Sequence, residues 1–162
     1  MAKVVLLLGG NQKGTREAFL KADHLINEEI GVVVRKSALY SSPSWGFSHP
    51  DRFLNQALEV ESYWLPEEIL RKTQIIEKQL GRKKKTTTHY EGRLIDIDIL
   101  FVEDKIINTP ELQIPHPRLH LRRFTLLPLS EWMNNFTHPL LKKSISTLLA
   151  ECEDDSDVKR LD

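Results

Sequence analysis

Cysteine is almost absent. Cys152 is the single one in 162 residues, so no intrachain disulfide can form. That suits a reducing compartment. Net charge is absent too: Lys plus Arg total 23 and Asp plus Glu total 23. A balanced chain has no general electrostatic pull toward nucleic acid or an anionic membrane surface, so neither is an expected partner. No apolar run is long enough to span a bilayer. The early run at residues 4–8 meets Gly9-Gly10-Asn11 rather than a cleavage site, so no secretory leader is expected and the cytoplasm is the expected compartment. Repeats, low-complexity tracts and linkers are missing as well, which leaves one soluble domain over residues 1–162 with enough chain for a core. A phosphate loop is excluded by one residue type: Thr15 follows Gly14 where that loop needs lysine.

What is present alternates between strand and helix patterns. Residues 4–8 are continuously apolar, as in a central strand. Gly9-Gly10-Asn11 reads as a tight turn where backbone passes close to something. Phe19, Ala22, Ile26 and Ile30 recur at helical spacing over residues 15–30, and Gly31 is a suitable stop. A second strand is predicted from 32 to about 40, followed by a Ser/Pro/Gly loop holding Trp45 and Phe47. A third strand is predicted from 53 to about 61, with Leu54, Leu58 and Val60 on its core face and Phe53, Asn55 and Ala57 on the other. Pro66 and two acids open a second helix ending at Gly81, buried through Ile69, Ile76 and Leu80. Gln74 and Glu77 share a polar face of that helix, where solvation is the plain reading. The order through Phe101 is strand, helix, strand, strand, helix, strand. It predicts an α+β fold with a ferredoxin-like βαββαβ core, an antiparallel sheet and a C-terminal extension. The acidic segment 151–157 is expected to fray.

The fourth strand, 93–101, carries the chemistry. Its apolar run is broken by Asp96 and Asp98, two apart and therefore on one face. Two adjacent carboxylates in a buried strand need compensation, and a divalent cation with oxygen ligands supplies it. Mg²⁺ suits the pair, since it takes one or two carboxylates and leaves positions for water and phosphate. An edge strand with two solvated aspartates would carry the same pattern. The basic loop 82–92 leads directly into the aspartates, and a second basic cluster runs from His116 to Arg123. Cations beside an acidic metal site suit a polyphosphate, whose oxygens they share with the metal. Phe53 beside Asn55 suits a stacked ring with an edge that donates and accepts, and equally a structural asparagine satisfied within the fold.

These pieces resemble the 6-hydroxymethyl-7,8-dihydropterin pyrophosphokinase family. The similarity lies in Leu8-Gly9-Gly10-Asn11, Leu39-Tyr40, Ser42-Pro43-Ser44-Trp45-Gly46, Phe53-Leu54-Asn55-Gln56, Ile76-Glu77, Leu80-Gly81-Arg82, Arg93-Leu94-Ile95-Asp96-Ile97-Asp98-Ile99 and Ile114-Pro115-His116-Pro117-Arg118. The resemblance implies transfer of pyrophosphate from ATP to the pterin hydroxymethyl group in folate biosynthesis, with AMP leaving. It implies two Mg²⁺ ions on Asp96 and Asp98, and Arg82 and Arg93 as catalytic cations on the moving group. It places Gln74, Glu77, Lys84, Tyr90, Ile99, His116 and Arg122 on the ATP side. Ser42, Pro43, Trp45 and Asn55 would meet the pterin edge, and Phe53 and Phe124 would sandwich its ring. A monomer is expected. The chain departs from the family pattern at Tyr90, Glu91-Gly92, Pro117 and Arg123.

Two other readings belong to different classes. A ferredoxin-like binding module, such as a single-strand RNA reader, would carry strand aromatics and a basic face. Here aspartates occupy the fourth strand instead. A catalytically inactive relative would lack key carboxylates or arginines, all of which are present.

Overall fold

The computed structural model describes residues 1–11, 13–45, 52–81 and 94–161. The chain runs β1 (Ala2–Gly10), α1 (Thr15–Glu29), β2 (Val32–Lys36), β3 (Leu39–Ser42), β4 (Phe53–Ser62), α2 (Pro66–Gln79) and β5 (Asp96–Val102). An extension follows with β6 (Ile107–Asn108), β7 (Gln113–Ile114), α3 (Arg123–Leu129), α4 (Ile145–Glu151) and β8 (Lys159–Leu161). The main sheet has the order β5-β1-β4-β3-β8, and β2 also pairs with β4. Its pairings are antiparallel, and the element order is that of a ferredoxin-like α+β fold.

Both faces of the sheet are buried, which explains why β1 is apolar at every central position. Val4, Leu6, Leu8, Leu58 and Val60 pack on Phe19, Ala22 and Ile26 of α1 and Ile69 and Ile76 of α2. Val5, Leu7, Ala57, Leu100 and Phe101 pack on the extension through Leu119, Leu126, Leu129, Met133, Ile145 and Leu148. The face of β4 that holds Phe53, Asn55 and Ala57 therefore belongs to a second core, which sequence periodicity did not assign.

Four local expectations are corrected. β1 continues through Gly10, so the glycines lie in the strand and not in a turn; a Cβ at Gly10 would strike the Leu94 carbonyl oxygen, which is the close approach they permit. The second strand is two, because Ser37 interrupts it. Its hydroxyl accepts the Ala57 N–H, its own N–H donates to the Ala57 carbonyl, and the next N–H, of Ala38, turns to Glu131. Glu77 is buried at 6 % exposure, not solvated. The acidic tail does not fray: it ends in β8, paired with β3.

The extension also contains an acid-sensitive group. His138 is 2 % exposed, and its Nδ1 accepts N–H bonds from Leu140 and Leu141 at 3.2 and 3.0 Å. Burial, with the charge of nearby His120, pushes its pKa down to about 4. The unfolded chain takes up this proton near pH 6.5, whereas the folded chain resists until about 4. The stability His138 contributes is thus full above pH 6.5 and is lost as pH falls toward 4. Urea unfolding should show a loss on the order of 3 kcal/mol from this group across that window, smaller in His138→Asn. An equal loss in that variant would assign the effect to other groups.

Candidate active site

Three neighbouring strands build the floor of a cavity of about 590 Å³. Asp96 of β5 lies opposite Gly9 of β1, and Gly9 lies opposite Asn55 of β4. One row deeper, Asp98 lies opposite Leu7, which lies opposite Ala57. Directly opposed residues share a face, so the two carboxylates and the Asn55 amide look into one space. Gly9 leaves that floor bare: a Cβ there would sit 3.7 Å from Asn55 Oδ1, inside the cavity it lines.

β5 is an edge strand, yet its outer backbone is not open. The N–H of Ile97, between the two aspartates, donates to Glu77 Oε2 at 2.9 Å. The Leu100 carbonyl accepts from the His116 N–H at 3.0 Å. Helix α2 and the segment after β7 thereby cover the edge and bring Glu77 and His116 to the cavity. Asp96 and Asp98 themselves are half-buried. The strand thus combines both readings of its sequence, lying at the edge of the sheet but largely enclosed.

The other wall is aromatic and basic. Phe53 pairs with Ser42, and Asn55 Nδ2 donates to Ser42 Oγ at 2.9 Å in a buried setting. Phe124 of α3 lines the same space. The Arg122 guanidinium lies 4.7 Å from the Trp45 ring centroid and 5.5 Å from that of Phe124, in cation–π contact. Its Nε is buried and, among the described residues, has no hydrogen-bond partner. Burial lowers the Arg122 pKa, Asp98 opposes that shift and Arg118 adds to it. The site is therefore electrostatically divided, with carboxylates on β5 and guanidinium groups across from them. His116 Nδ1 accepts the Arg118 N–H at 3.1 Å. Burial, then the charges of Arg122 and Arg118, push its pKa down to about 4. At neutral pH it is a neutral imidazole with Nε2–H as its donor.

The structure brings together Asp96, Asp98, Gln74, Glu77, His116, Arg122, Ser42, Pro43, Trp45, Phe53, Asn55 and Phe124 around this cavity. Ile99 is not among its lining residues; its side chain is buried in the helix-side core. Arg82, Lys84, Tyr90 and Arg93 lie outside the described residues. Sequence reasoning missed Leu7, Gly9, Leu70, Ile97 and Arg118 as lining groups. Arg118 was signalled by its basic cluster and Gly9 by its glycine pair, but Leu70 carried no signal beyond helix periodicity.

The carboxylate pair fits Mg²⁺. Both donors are hard oxygens on one wall of an open cavity, and among the described residues no third His, Cys, Asp or Glu joins them into a closed cage. That leaves coordination positions for water and phosphate, the usual arrangement for this ion.

Comparison with known proteins agrees with the geometry. Residues 5–134 match the 7,8-dihydro-6-hydroxymethylpterin-pyrophosphokinase family. A 2-amino-4-hydroxy-6-hydroxymethyldihydropteridine pyrophosphokinase of Aquifex aeolicus is 38 % identical over 151 residues, 93 % of this chain and 92 % of the relative. Its counterpart in Bacillus subtilis is 35 % identical over 133 residues, 81 % of this chain and 78 % of the relative. The HPPK-DHPS of Plasmodium falciparum, crystallised with pteroate, superposes with a TM-score of 0.77 at 16 % identity, which shows the shared fold. That match covers 92 % of this chain, which spans 44 % of the Plasmodium chain. The strand carrying Asp96 and Asp98, the Ser42–Asn55 pair and helix α3, which closes the cavity, all lie within the matched stretch, and the chain belongs to the 7,8-dihydro-6-hydroxymethylpterin-pyrophosphokinase family.

Proposed function

We propose that the chain transfers pyrophosphate from ATP to 6-hydroxymethyl-7,8-dihydropterin, a step of folate biosynthesis, yielding the pterin diphosphate and AMP. The observation that carries the reading is the division of one cavity. Paired carboxylates stand on β5, and an amide with two aromatic rings stands on β4 and α3.

In this reading the pterin hydroxymethyl oxygen forms a bond to the β-phosphorus and gives up its proton to solvent, while the bond from that phosphorus to the α–β bridging oxygen breaks. AMP keeps the bridging oxygen. Asp96 and Asp98 would hold two Mg²⁺ ions, which supply charge neutralisation on the triphosphate. Arg122 and Arg118 offer cations to oxygens on the far side, and neutral His116 offers Nε2–H. Asn55 holds Ser42 Oγ and keeps its carbonyl oxygen toward the ring edge, while Phe53 and Phe124 offer faces to the ring. Gln74 and Glu77 stand on the nucleotide side, and Arg82, Lys84, Tyr90 and Arg93 carry over from the family pattern as further groups for ATP and the transferred phosphates. Such a reaction asks the protein mostly for positioning and charge stabilisation.

The test is a nucleotide assay with pterin, ATP and Mg²⁺. AMP should form only when all three are present, and a chelator should abolish it. AMP formation that persists in chelator would contradict the role given to the aspartates. No nucleotide product from folded protein would favour an inactive relative.

A further inference from the structure

The last residues are acidic and read as solvent-facing, yet the structure ties them to both walls of the aromatic slot. Asp154 Oδ2 accepts the Arg123 N–H at 3.0 Å. Arg123 lies between Arg122 and Phe124, both of which line the cavity. Burial works against the Asp154 charge, but the Arg123 N–H, the Ser156 hydroxyl and N–H, and the Arg123 guanidinium outweigh it and hold the carboxyl below its usual range. Further along, the Asp157 carbonyl accepts from Arg52 Nη2 at 2.6 Å. The same guanidinium donates to the Ser41 carbonyl at 3.0 Å and, through Nε, to Ser41 Oγ at 2.7 Å. Arg52 and Ser41 each precede a residue of the opposite wall, Phe53 and Ser42. Strand β8 then pairs Lys159 with Ser41 and Arg160 with Tyr40. The Tyr40 hydroxyl donates to Glu131 Oε2 at 2.6 Å, which joins β3 to the residues just beyond α3.

We propose that residues 154–161 form a strap that sets the spacing of the pterin slot, with Asp154 and Arg52 as positioning residues. The inference rests on the pterin reading of Ser42, Phe53 and Phe124 given above. The strap's bonds fall on β3, the start of β4 and the start of α3. Among the described residues, none of these bonds reaches β5 or α2, where the paired carboxylates, Gln74 and Glu77 stand. The bonds of Arg52 therefore act on the ring-binding half of the site, whereas Asp154, through Arg123, also adjoins Arg122 on the nucleotide side. A flat ring between two faces is sensitive to their separation, because a gap of about 0.5–1 Å already forfeits a quarter to a half of each dispersion contact.

The experiment uses the full chain with Asp154→Ala, Asp154→Asn and Arg52→Ala. It measures binding of a non-hydrolysable ATP analogue with Mg²⁺, then of 6-hydroxymethyl-7,8-dihydropterin to that complex, alongside thermal unfolding. Both alanine variants should weaken pterin binding by at least about five-fold, and Arg52→Ala should leave nucleotide affinity within about two-fold of the wild type. Asp154→Asn keeps an acceptor for the Arg123 N–H and should recover most of the loss. Arg52 is exposed, so its variant reports on the strap even if loss of Asp154 perturbs folding. Unchanged pterin binding in both alanine variants would overturn the proposal. So would parallel loss of both ligands in Arg52→Ala, or an Asp154→Asn variant as weak as Asp154→Ala. Failure of the wild type to bind pterin would remove the functional reading and the strap together, whereas variants that match a binding wild type would remove the strap alone.

Discussion

Replacing Asp98 with alanine is expected to cut turnover by about a thousand-fold or more while the chain still folds. The two effects separate for a physical reason. Asp96 and Asp98 lie on one face of β5, half-buried, and repel each other. Removing one relieves that repulsion, which offsets the lost attraction between Asp98 and Arg122, so the net cost to folding is small. Chemistry loses one of two carboxylates that hold the cations on the triphosphate. Metal stabilisation of a phosphoryl-type transition state is worth several kcal/mol, and each ~1.4 kcal/mol is ten-fold in rate. Asp98→Asn keeps the shape and removes the charge, so it should be nearly as inactive. The check is kcat with saturating ATP and Mg²⁺, beside a thermal unfolding curve. Near-normal turnover in either variant would show that the pair does not hold the metal.

Glu77→Ala is expected to damage stability and turnover together. The Glu77 carboxylate accepts the buried Ile97 N–H at 2.9 Å, between the two aspartates. A hydrogen bond to a charged group contributes about 1.5–3 kcal/mol, and the alanine also leaves a buried N–H without this acceptor. Unfolding in urea should therefore show a loss of about 2–3 kcal/mol. A shift of β5 by a fraction of an ångström would misplace Asp96 and Asp98, and misplacement on the scale of 1 Å can cost about a hundred-fold in rate. Glu77→Gln retains an acceptor and should recover part of both losses. Wild-type stability in Glu77→Ala would mean that the edge of β5 is held by its other contacts.

The reach of the sequence varied with the range of the interactions involved. Asp96 and Asp98 could be placed on a shared face because strand alternation is local. The ferredoxin-like order followed from periodicity and stop residues in the same way. Glu77 could not be read correctly, because helix spacing puts it beside Gln74 and says nothing of the strand that packs there. Its partner, Ile97, is 20 residues on. The break at Ser37 was equally hidden, since its hydroxyl satisfies an N–H on β4 rather than on its own strand. The tail shows the largest gap between composition and structure. A run of acids reads as solvated, but Arg52 lies 105 residues away and the Arg123 N–H 31 away, and the pattern within the tail carries no trace of either. Helix-face and strand-face logic also treated the extension as an addition. In fact Leu119, Leu126 and Leu129 complete the core under Leu7 and Ala57, and the cavity exists because α3 closes it.

Which phosphorus is attacked defines the reaction, and phosphorus NMR of the pterin product reads it from the bonds formed. Attack at the β-phosphorus gives a pterin ester with two coupled phosphorus signals, formed one for one with AMP. A pterin carrying a single phosphorus, formed with ADP, would place the attack at the γ-phosphorus and contradict the account.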